Sequence, residues 1–265
     1  MQQAQDFRAE SLALAAILNA LSDDDFNAKT QFKGWSINDA LGHLHMFNVA
    51  ADLTLESGLK FAAFFEPIAE GMARGLSLLE TQSGFLNGLK GRALFAVWQD
   101  CAHKLADNYA LADPKVRLKW AGPDMSARSS ITARQMETWA HGQEIFDLLG
   151  IARTEGDRVK NIVHLGVSTF GWSFANCGLK VPETAPHVKL TAPSGAVWDW
   201  NSAQSDNRIT GSAVDFARVV AQTRNVKDTS LVTIGQTATD WMEIAQCFAG
   251  PPETPPIKGQ RHRLE

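Results

Sequence analysis

The stretch "GWSINDALGHLHMF", residues 34–47, contains the start of a helix. Ser36 and Asp39 stand three residues apart, which is the spacing of a capping box, in which each side chain accepts a hydrogen bond from the other's backbone N–H. The sequence therefore predicts a helix that begins after Ser36 and ends at about Ser57, where Gly58 can close it.

A second stretch, "RQMETWAHGQEIFDLLG", residues 134–150, places Glu137 and His141 four residues apart on one face of a strong helix. One carboxylate and one imidazole are half of a metal site, and the alternative is a hydrogen bond between two surface side chains. A third ligand must come from another helix, and the segment with His43 and His45 is the natural donor. Those two histidines lie about 200° apart around a helix, so they cannot both face the same point.

Helical periodicity runs through the first two thirds of the chain and changes at Val181. Residues 187–200 alternate apolar and polar side chains around a Pro-Ser-Gly turn, which is typical of a β-hairpin. We therefore expect a helical domain over residues 1–178, a small α+β domain over 186–250, and a polar tail over 251–265. The expected helices of the first domain span about 5–21, 36–57, 61–82 with a break at Pro67, 86–111, 130–150 and 156–176.

Composition narrows the class of protein. The 25 basic and 29 acidic residues give a net charge of −4 without a basic block, which argues against a nucleic-acid partner. The longest apolar run, residues 12–18, is too short to cross a bilayer, and the first residues lack the pattern of a secretory signal. Cys101, Cys177 and Cys247 form no CxxC pair, so they indicate reduced thiols. We expect a cytoplasmic protein with a small-molecule substrate; a homodimer stays open.

Both motifs resemble those of the DinB/YfiT-like superfamily of four-helix-bundle metalloproteins. "GWSINDALGHL" is similar to its Gly-Trp-Ser/Thr, x-x-Asp, x-x-x-His-Leu signature, and residues 134–150 are similar to the metal-binding helix of the branch with mycothiol-dependent maleylpyruvate isomerase. Residues 190–252 resemble the small C-terminal domain of that branch, which is related to sterol-carrier-protein-like folds. The resemblance implies a DinB-like bundle followed by this small domain.

The resemblance also implies the metal ligands His43, Glu137 and His141, which leaves His45 on another face. The more familiar three-histidine form of the superfamily has a histidine where Glu137 stands, so the isomerase branch is favoured. Zinc is the default metal, and nickel, iron or manganese stay open because affinity order alone does not select a metal. Arg134, one turn before Glu137, is a candidate contact for a substrate anion, and an ion-pair role is the alternative.

The function implied by the resemblance is a thiol S-transferase or isomerase. It would use mycothiol or a similar low-molecular-weight thiol on a small electrophilic substrate. A protein that captures a small or lipid-like ligand without turnover is the alternative. Asp39 is either an acceptor for the second imidazole nitrogen of His43 or the capping partner of Ser36, and we favour the capping role.

Overall fold

A computed structural model describes residues 1–265 and shows two compact units, Met1–Leu148 and Leu149–Glu265. The first unit is helical, with one short antiparallel ribbon. Its elements are α1 (Gln2–Leu18), α2 (Ile37–Glu56), α3 (Gly58–Ala73), α4 (Leu78–Leu86), α5 (Gly91–Leu111), β1 (Arg117–Leu118), β2 (Met125–Ser126) and α6 (Ala127–Leu148).

Four long helices, α1, α2, α5 and α6, pack against one another as a bundle. Phe7, Leu105 and Tyr109 are fully buried in its core. The Tyr109 hydroxyl lies 3.0 Å from the carbonyl oxygen of Ala51 on α2 and 2.9 Å from the hydroxyl of Ser130 on α6. Because α2 and α6 are neighbours, their inward-facing side chains can meet in one site.

The predicted capping box at the start of α2 is present. The Asp39 backbone N–H donates to Ser36 Oγ at 3.1 Å, and the Ser36 backbone N–H donates to Asp39 Oδ2 at 2.8 Å. The C-terminal end of α2 differs from the prediction, because Gly58 is the first residue of α3 and does not close α2. Ser57 is extended, and its side-chain oxygen accepts from the Leu59 N–H at 3.2 Å, which caps the new helix.

The expected break at Pro67 is absent, because α3 continues through this residue. The chain turns later, where Gly75 has a φ of +90° that glycine adopts without strain. A second capping box then begins α4, with the Ser77 backbone N–H donating to Glu80 Oε2 at 2.7 Å. The segment expected as one interrupted helix is therefore two helices joined by a tight turn.

The second unit combines four helices with one mixed sheet. Its elements are α7 (Lys160–Ser168), α8 (Phe170–Asn176), β3 (His187–Thr191), β4 (Val197–Trp200), β5 (Arg208–Ser212), α9 (Ala213–Val220), β6 (Val232–Ile234) and α10 (Gln236–Ile244). The sheet order is β4-β3-β5-β6, with β3 parallel to β5 and the other two pairs antiparallel. The predicted hairpin is the β3–β4 pair. No helix of the chain has both the length and the apolar character needed to cross a membrane.

The boundary between the units lies after Leu148, whereas the sequence pattern predicts it at residue 178. The reason is that α7 packs against α9 and α8 packs against α10. The ring of Phe170 meets that of Trp241 edge-on, with their centroids 5.0 Å apart. Helical periodicity identifies α7 and α8 as helices, but it does not say which core receives their apolar faces.

The C-terminal residues 251–265 pack within the second unit. Gln222 Nε2 donates to the carbonyl oxygen of Glu253 at 3.1 Å, and Asn225 Nδ2 donates to that of Pro256 at 2.8 Å. Arg261 Nη1 in turn donates to the carbonyl oxygen of Gln222 at 2.6 Å. This segment, expected as a polar tail, is therefore held by hydrogen bonds to the chain that follows α9.

Candidate metal centre

Helices α2 and α6 bring three donor side chains to one point of the first unit. His43 comes from α2, and Glu137 and His141 come from α6. Glu137 Oε2 lies 3.3 Å from His43 Nε2 and 3.5 Å from His141 Nε2. All three donor atoms lie within 4.8 Å of one another. The structure thus joins the residues that the two sequence motifs suggested separately.

The separations from Glu137 to each imidazole fit the ligands of a divalent metal ion. Metal–ligand distances of about 2.0–2.1 Å in tetrahedral geometry place neighbouring ligand atoms about 3.3–3.4 Å apart. The two distances from the Glu137 carboxylate to His43 and His141 are close to that separation. Two imidazoles and one carboxylate also leave a fourth position free, which is the arrangement of catalytic zinc sites.

Aromatic rings surround the two imidazoles. Trp35 stacks on His141, with their ring centroids 5.6 Å apart and their planes 3° from parallel, and Phe32 meets His141 edge-on at 5.2 Å. On the other side, the Phe47 ring lies 4.8 Å from that of His43. Since Phe32, Trp35 and Phe47 are only half-buried, they form an apolar rim around the three donors and restrict the orientation of both imidazoles.

A tight turn before α2 holds Trp35 over His141. The Thr30 N–H donates to the Trp35 carbonyl oxygen at 2.7 Å, and the Trp35 N–H donates to the Phe32 carbonyl oxygen at 2.8 Å. Gly34 has a φ of +68°, in the left-handed region that glycine adopts most easily. The Gly-Trp pair of the first motif therefore has a physical role in the site. Phe32 was missed by sequence reasoning, because no spacing rule links this loop residue to α6.

The environment sets the protonation states of the donors. Burial, and to a smaller extent the neighbouring His141 and Arg134, lowers the pKa of His43 to about 4, although its hydrogen bond with Glu137 acts in the opposite direction. Burial alone would raise the pKa of Glu137, but hydrogen bonds from His141 and His43 hold that pKa well below its usual range. At neutral pH the site therefore offers a neutral His43 and an ionised carboxylate, the forms that bind metal.

Arg134 is buried one turn before Glu137, so of the two ion-pair alternatives the surface one is wrong and the structural one remains. Its side chain donates from Nε to Asn48 Oδ1 at 3.2 Å, and its guanidinium carbon lies 5.7 Å from the centre of the Phe47 ring. Only 3% of Arg134 is exposed. Asn48 lies on α2 and contacts Arg134 across the helix interface, and no local spacing rule predicts this contact.

The remaining candidates have other partners. Asp39 Oδ2 accepts from the Ser36 hydroxyl at 2.6 Å as well as from its N–H, so the capping role is the one observed. His43 Nδ1 is buried without a hydrogen-bond partner, so Asp39 does not act as its acceptor. His45 packs against Phe85 with their ring centroids 5.6 Å apart and does not belong to the donor cluster.

Comparison with known proteins identifies the family of the chain. The family model described as the mycothiol maleylpyruvate isomerase N-terminal domain matches residues 7–146, which include the three clustered donors. Two uncharacterized proteins of Mycobacterium tuberculosis, from strains CDC 1551 and H37Rv, are each 35% identical over 247 residues, and the matches cover 93% of this chain and 95% of each relative.

Two solved structures share the fold: mycothiol-dependent maleylpyruvate isomerase (TM-score 0.56, 16% identity) and a histidine-to-alanine mutant of it (TM-score 0.55, 15% identity). Both matches cover 83% of this chain and 88% of the other. The chain belongs to the mycothiol maleylpyruvate isomerase N-terminal domain family, and its fold, rich in helices with a small sheet region, is similar to that of the isomerase.

Proposed function

We propose that the protein binds one divalent metal ion, zinc by default, through His43, Glu137 and His141. We propose further that it uses this ion to activate mycothiol or a similar low-molecular-weight thiol for reaction with a small electrophilic substrate. The observation that carries the proposal is the convergence of the three donor atoms within 4.8 Å. Nickel, iron or manganese would satisfy the same donors, because geometry and availability select the metal.

A bound metal ion would lower the pKa of a coordinated thiol, so that a thiolate nucleophile exists at neutral pH without a protein base. The residues of the chain create the conditions for this. Because Glu137 would be the one charged ligand of a divalent ion, the occupied site would keep a net positive charge that favours an anionic fourth ligand. The rings of Trp35 and Phe47 lie against the imidazoles, with centroid distances of 5.6 Å to His141 and 4.8 Å to His43.

Two reactions fit such a thiolate. In an isomerase, the sulfur adds to a carbon of a conjugated double bond, the resulting single bond rotates, and elimination of the thiol restores the double bond. In an S-transferase, the sulfur displaces a leaving group or opens an epoxide, and the new carbon–sulfur bond remains. The similar solved structures are of a mycothiol-dependent isomerase, which supports a mycothiol-type cofactor, and at 15–16% identity they do not identify the substrate of this chain.

A cobalt-substituted protein tests the proposal. Thiol addition is expected to produce a thiolate-to-cobalt charge-transfer band in wild type and in His45→Ala, and no such band in Glu137→Ala. Loss of maleylpyruvate, measured with and without mycothiol, then tests turnover. A fully cobalt-loaded protein that shows no band with any thiol contradicts thiol activation. A retained electrophilic ligand without turnover would instead identify a small-molecule or lipid-like binding protein.

The remaining parts of the proposal concern the cellular location of the protein, its oligomeric state and the fold of its second unit. We propose a cytoplasmic location, because all three cysteines are free thiols, as a reducing compartment requires. A homodimer stays a hypothesis that light scattering in solution tests directly. The relation of the second unit to sterol-carrier-protein-like folds likewise stays a prediction from the sequence resemblance.

A further inference from the structure

We infer that Trp120, together with Phe47 and Phe61, forms an aromatic platform that binds an aryl ring of the electrophilic substrate. This inference rests on the proposed function and adds the substrate class. The substrate would carry a planar aromatic ring next to its electrophilic carbon, as an aryl epoxide does.

The first step is the arrangement of the rings. Trp120 lies in the loop between β1 and β2, and its ring is stacked on that of Phe61 from α3, with centroids 5.5 Å apart and planes 18° from parallel. Phe61 is stacked in turn on Phe65, at 5.5 Å and 12°. On the other side, the Trp120 ring lies 6.2 Å from that of Phe47. Rings from α2, α3 and the loop therefore follow one another in a continuous row.

The second step is the position of this row relative to the proposed metal ligands. Phe47 follows His43 by four residues, about one turn of α2, and its ring lies 4.8 Å from the His43 ring. Phe47 thus belongs both to the rim of the donor cluster and to the row of rings. Because of this continuity, a substrate ring bound on Phe47 and Trp120 would lie beside the donor cluster.

The third step is the support of the platform. Thr54 Oγ1 on α2 donates to the carbonyl oxygen of Lys119 at 2.6 Å, which fixes the loop directly before Trp120. Gly58 allows the loop to approach α3, because a Cβ atom there would lie 2.9 Å from Lys119 Cγ. Phe61 is only 5% exposed, so the Trp120 ring rests on a buried neighbour. A surface that is ordered before binding loses little conformational entropy when a ligand binds.

The fourth step is the chemistry that this surface offers. Trp120, Phe47 and Phe65 are half-buried, so part of each ring is open to solvent. The charged neighbour of Trp120, Lys119, pairs with Asp124 at 2.9 Å. Aromatic rings prefer offset-stacked or edge-to-face partners with centroids about 4.5–7 Å apart. A further aryl ring can repeat the contacts already present in the row, whereas a saturated ring of the same size gains only from buried apolar area.

The first test compares the binding of benzyl alcohol and cyclohexylmethanol to zinc-loaded protein by ligand-observed NMR titration. The two alcohols differ only in the saturation of the ring, and cyclohexylmethanol is the more hydrophobic, so a merely apolar surface favours it. Wild type is expected to bind benzyl alcohol more tightly. Trp120→Leu should weaken benzyl alcohol binding about five- to tenfold and leave cyclohexylmethanol binding nearly unchanged. Trp120→Phe, which retains a ring, should keep most of the preference.

The matched control is Phe85→Leu, since Phe85 packs against Phe64 and His45 and lies outside the row. This variant should bind both alcohols as wild type does. Trp120→Met serves if Trp120→Leu does not fold, and should show the same loss of preference.

A second test measures the same preference during turnover, with cysteamine as a thiol that carries neither a carboxylate nor a sugar. The sulfur forms a bond to an epoxide carbon as the carbon–oxygen bond breaks, and the epoxide oxygen takes the proton released by the thiol. The ratio of kcat/KM for styrene oxide to that for cyclohexyl oxirane is compared between variants, so that the intrinsic reactivities cancel. This ratio should fall about five- to tenfold in Trp120→Leu and stay unchanged in Phe85→Leu.

Binding of cyclohexylmethanol by wild type that is as tight as that of benzyl alcohol, or no binding of either, would overturn the inference. So would a preference that Trp120→Leu retains or that Phe85→Leu loses. Zinc content, measured on the same samples, separates this failure from that of the proposed function. Full zinc and thiol turnover without an aryl preference overturn only the platform, whereas a Trp120-dependent preference in protein that binds no zinc overturns only the metal proposal.

Discussion

The α2–α6 interface of the first unit and the core around Trp241 in the second unit contain different kinds of side chain. In the first unit, the interface of α2 and α6 contains imidazoles, a carboxylate, an amide and a guanidinium. In the second unit, the centre contains three aromatic rings, with Trp241 meeting Phe170 at 5.0 Å and Phe216 at 5.7 Å in edge contacts. Aromatic packing stabilises a fold directly. Buried polar groups cost free energy unless they are paired, and this cost supports the proposal that the first unit binds a ligand.

This difference assigns the proposed chemistry to one unit. All three clustered donors, and the Arg134–Asn48 pair, lie within Met1–Leu148. The family match, residues 7–146, covers the same part of the chain. The comparison between the units therefore predicts that changes to the second core affect stability without affecting the metal ligands, whereas changes at the α2–α6 interface affect binding.

The largest expected effect on stability comes from Trp241→Ala in the second unit. Removing this fully buried indole should lower the free energy of unfolding by about 3–5 kcal/mol. The folded fraction should keep the zinc stoichiometry of wild type, since Trp241 packs against Phe170 and Phe216 of its own unit. Urea unfolding followed by tryptophan fluorescence measures the first quantity, and metal analysis of the folded fraction measures the second. Zinc loss from Trp241→Ala protein that remains folded would contradict the proposal that the second core affects stability and not zinc binding.

The next effect compares a cysteine from each unit. Burial, with a smaller contribution from Asp52, raises the pKa of the Cys101 thiol from 9.0 to about 11, so near pH 8 its thiolate fraction should be about a hundredfold lower than that of an ordinary cysteine. Cys177 is exposed, and we expect iodoacetamide to modify it first. Peptide mass spectrometry over time measures both rates. Equal modification rates of the two cysteines would contradict this prediction and show that Cys101 on α5 becomes readily exposed to the reagent.

The same pKa shift has a consequence for stability. The folded state holds the Cys101 proton more tightly than the unfolded state does, so the associated stabilisation is complete below pH 9 and is lost as the pH rises towards 11. Cys101→Ala should lack this decrease. The comparison of urea midpoints for wild type and Cys101→Ala across that range checks the sign, and parallel curves would contradict it.

The smallest expected effect on stability comes from removing either of two capping boxes in the first unit, one at the start of α2 and one at the start of α4. Ser36→Ala and Ser77→Ala each remove the side-chain oxygen that accepts from the third residue of a helix, at a cost of about 1 kcal/mol. Of these two helices, α2 carries a donor of the proposed site, His43, and α4 carries none. Ser36→Ala should therefore also weaken zinc affinity in a chelator competition, whereas Ser77→Ala should not. Equal zinc affinities of the two variants would show that the start of α2 does not position His43.

Features that depend on neighbouring residues were predictable from the sequence. The Ser36–Asp39 capping box and the pairing of Glu137 with His141 each span five residues or fewer, and the local geometry of a helix determines them. The β3–β4 hairpin was predictable for the same reason, because its turn is short.

Features that depend on contacts between distant segments were not predictable from spacing. Helical geometry left His43 and His45 as alternative third donors, and the resemblance to the superfamily favoured His43, which is the histidine that the structure brings to the cluster. The contact of Asn48 with Arg134 joins two helices that are far apart in sequence. The assignment of α7 and α8 to the second unit likewise depends on packing against α9 and α10.

The most direct test of the account is the zinc content per chain, measured by mass spectrometry on protein purified without chelator. Wild type is compared with His43→Ala, Glu137→Ala, His141→Ala and the matched control His45→Ala. We predict close to one zinc ion per chain in wild type and in His45→Ala, and almost none in the other three variants. Wild type that stays free of metal after reconstitution, or zinc retained in all three ligand variants, would contradict the proposed centre.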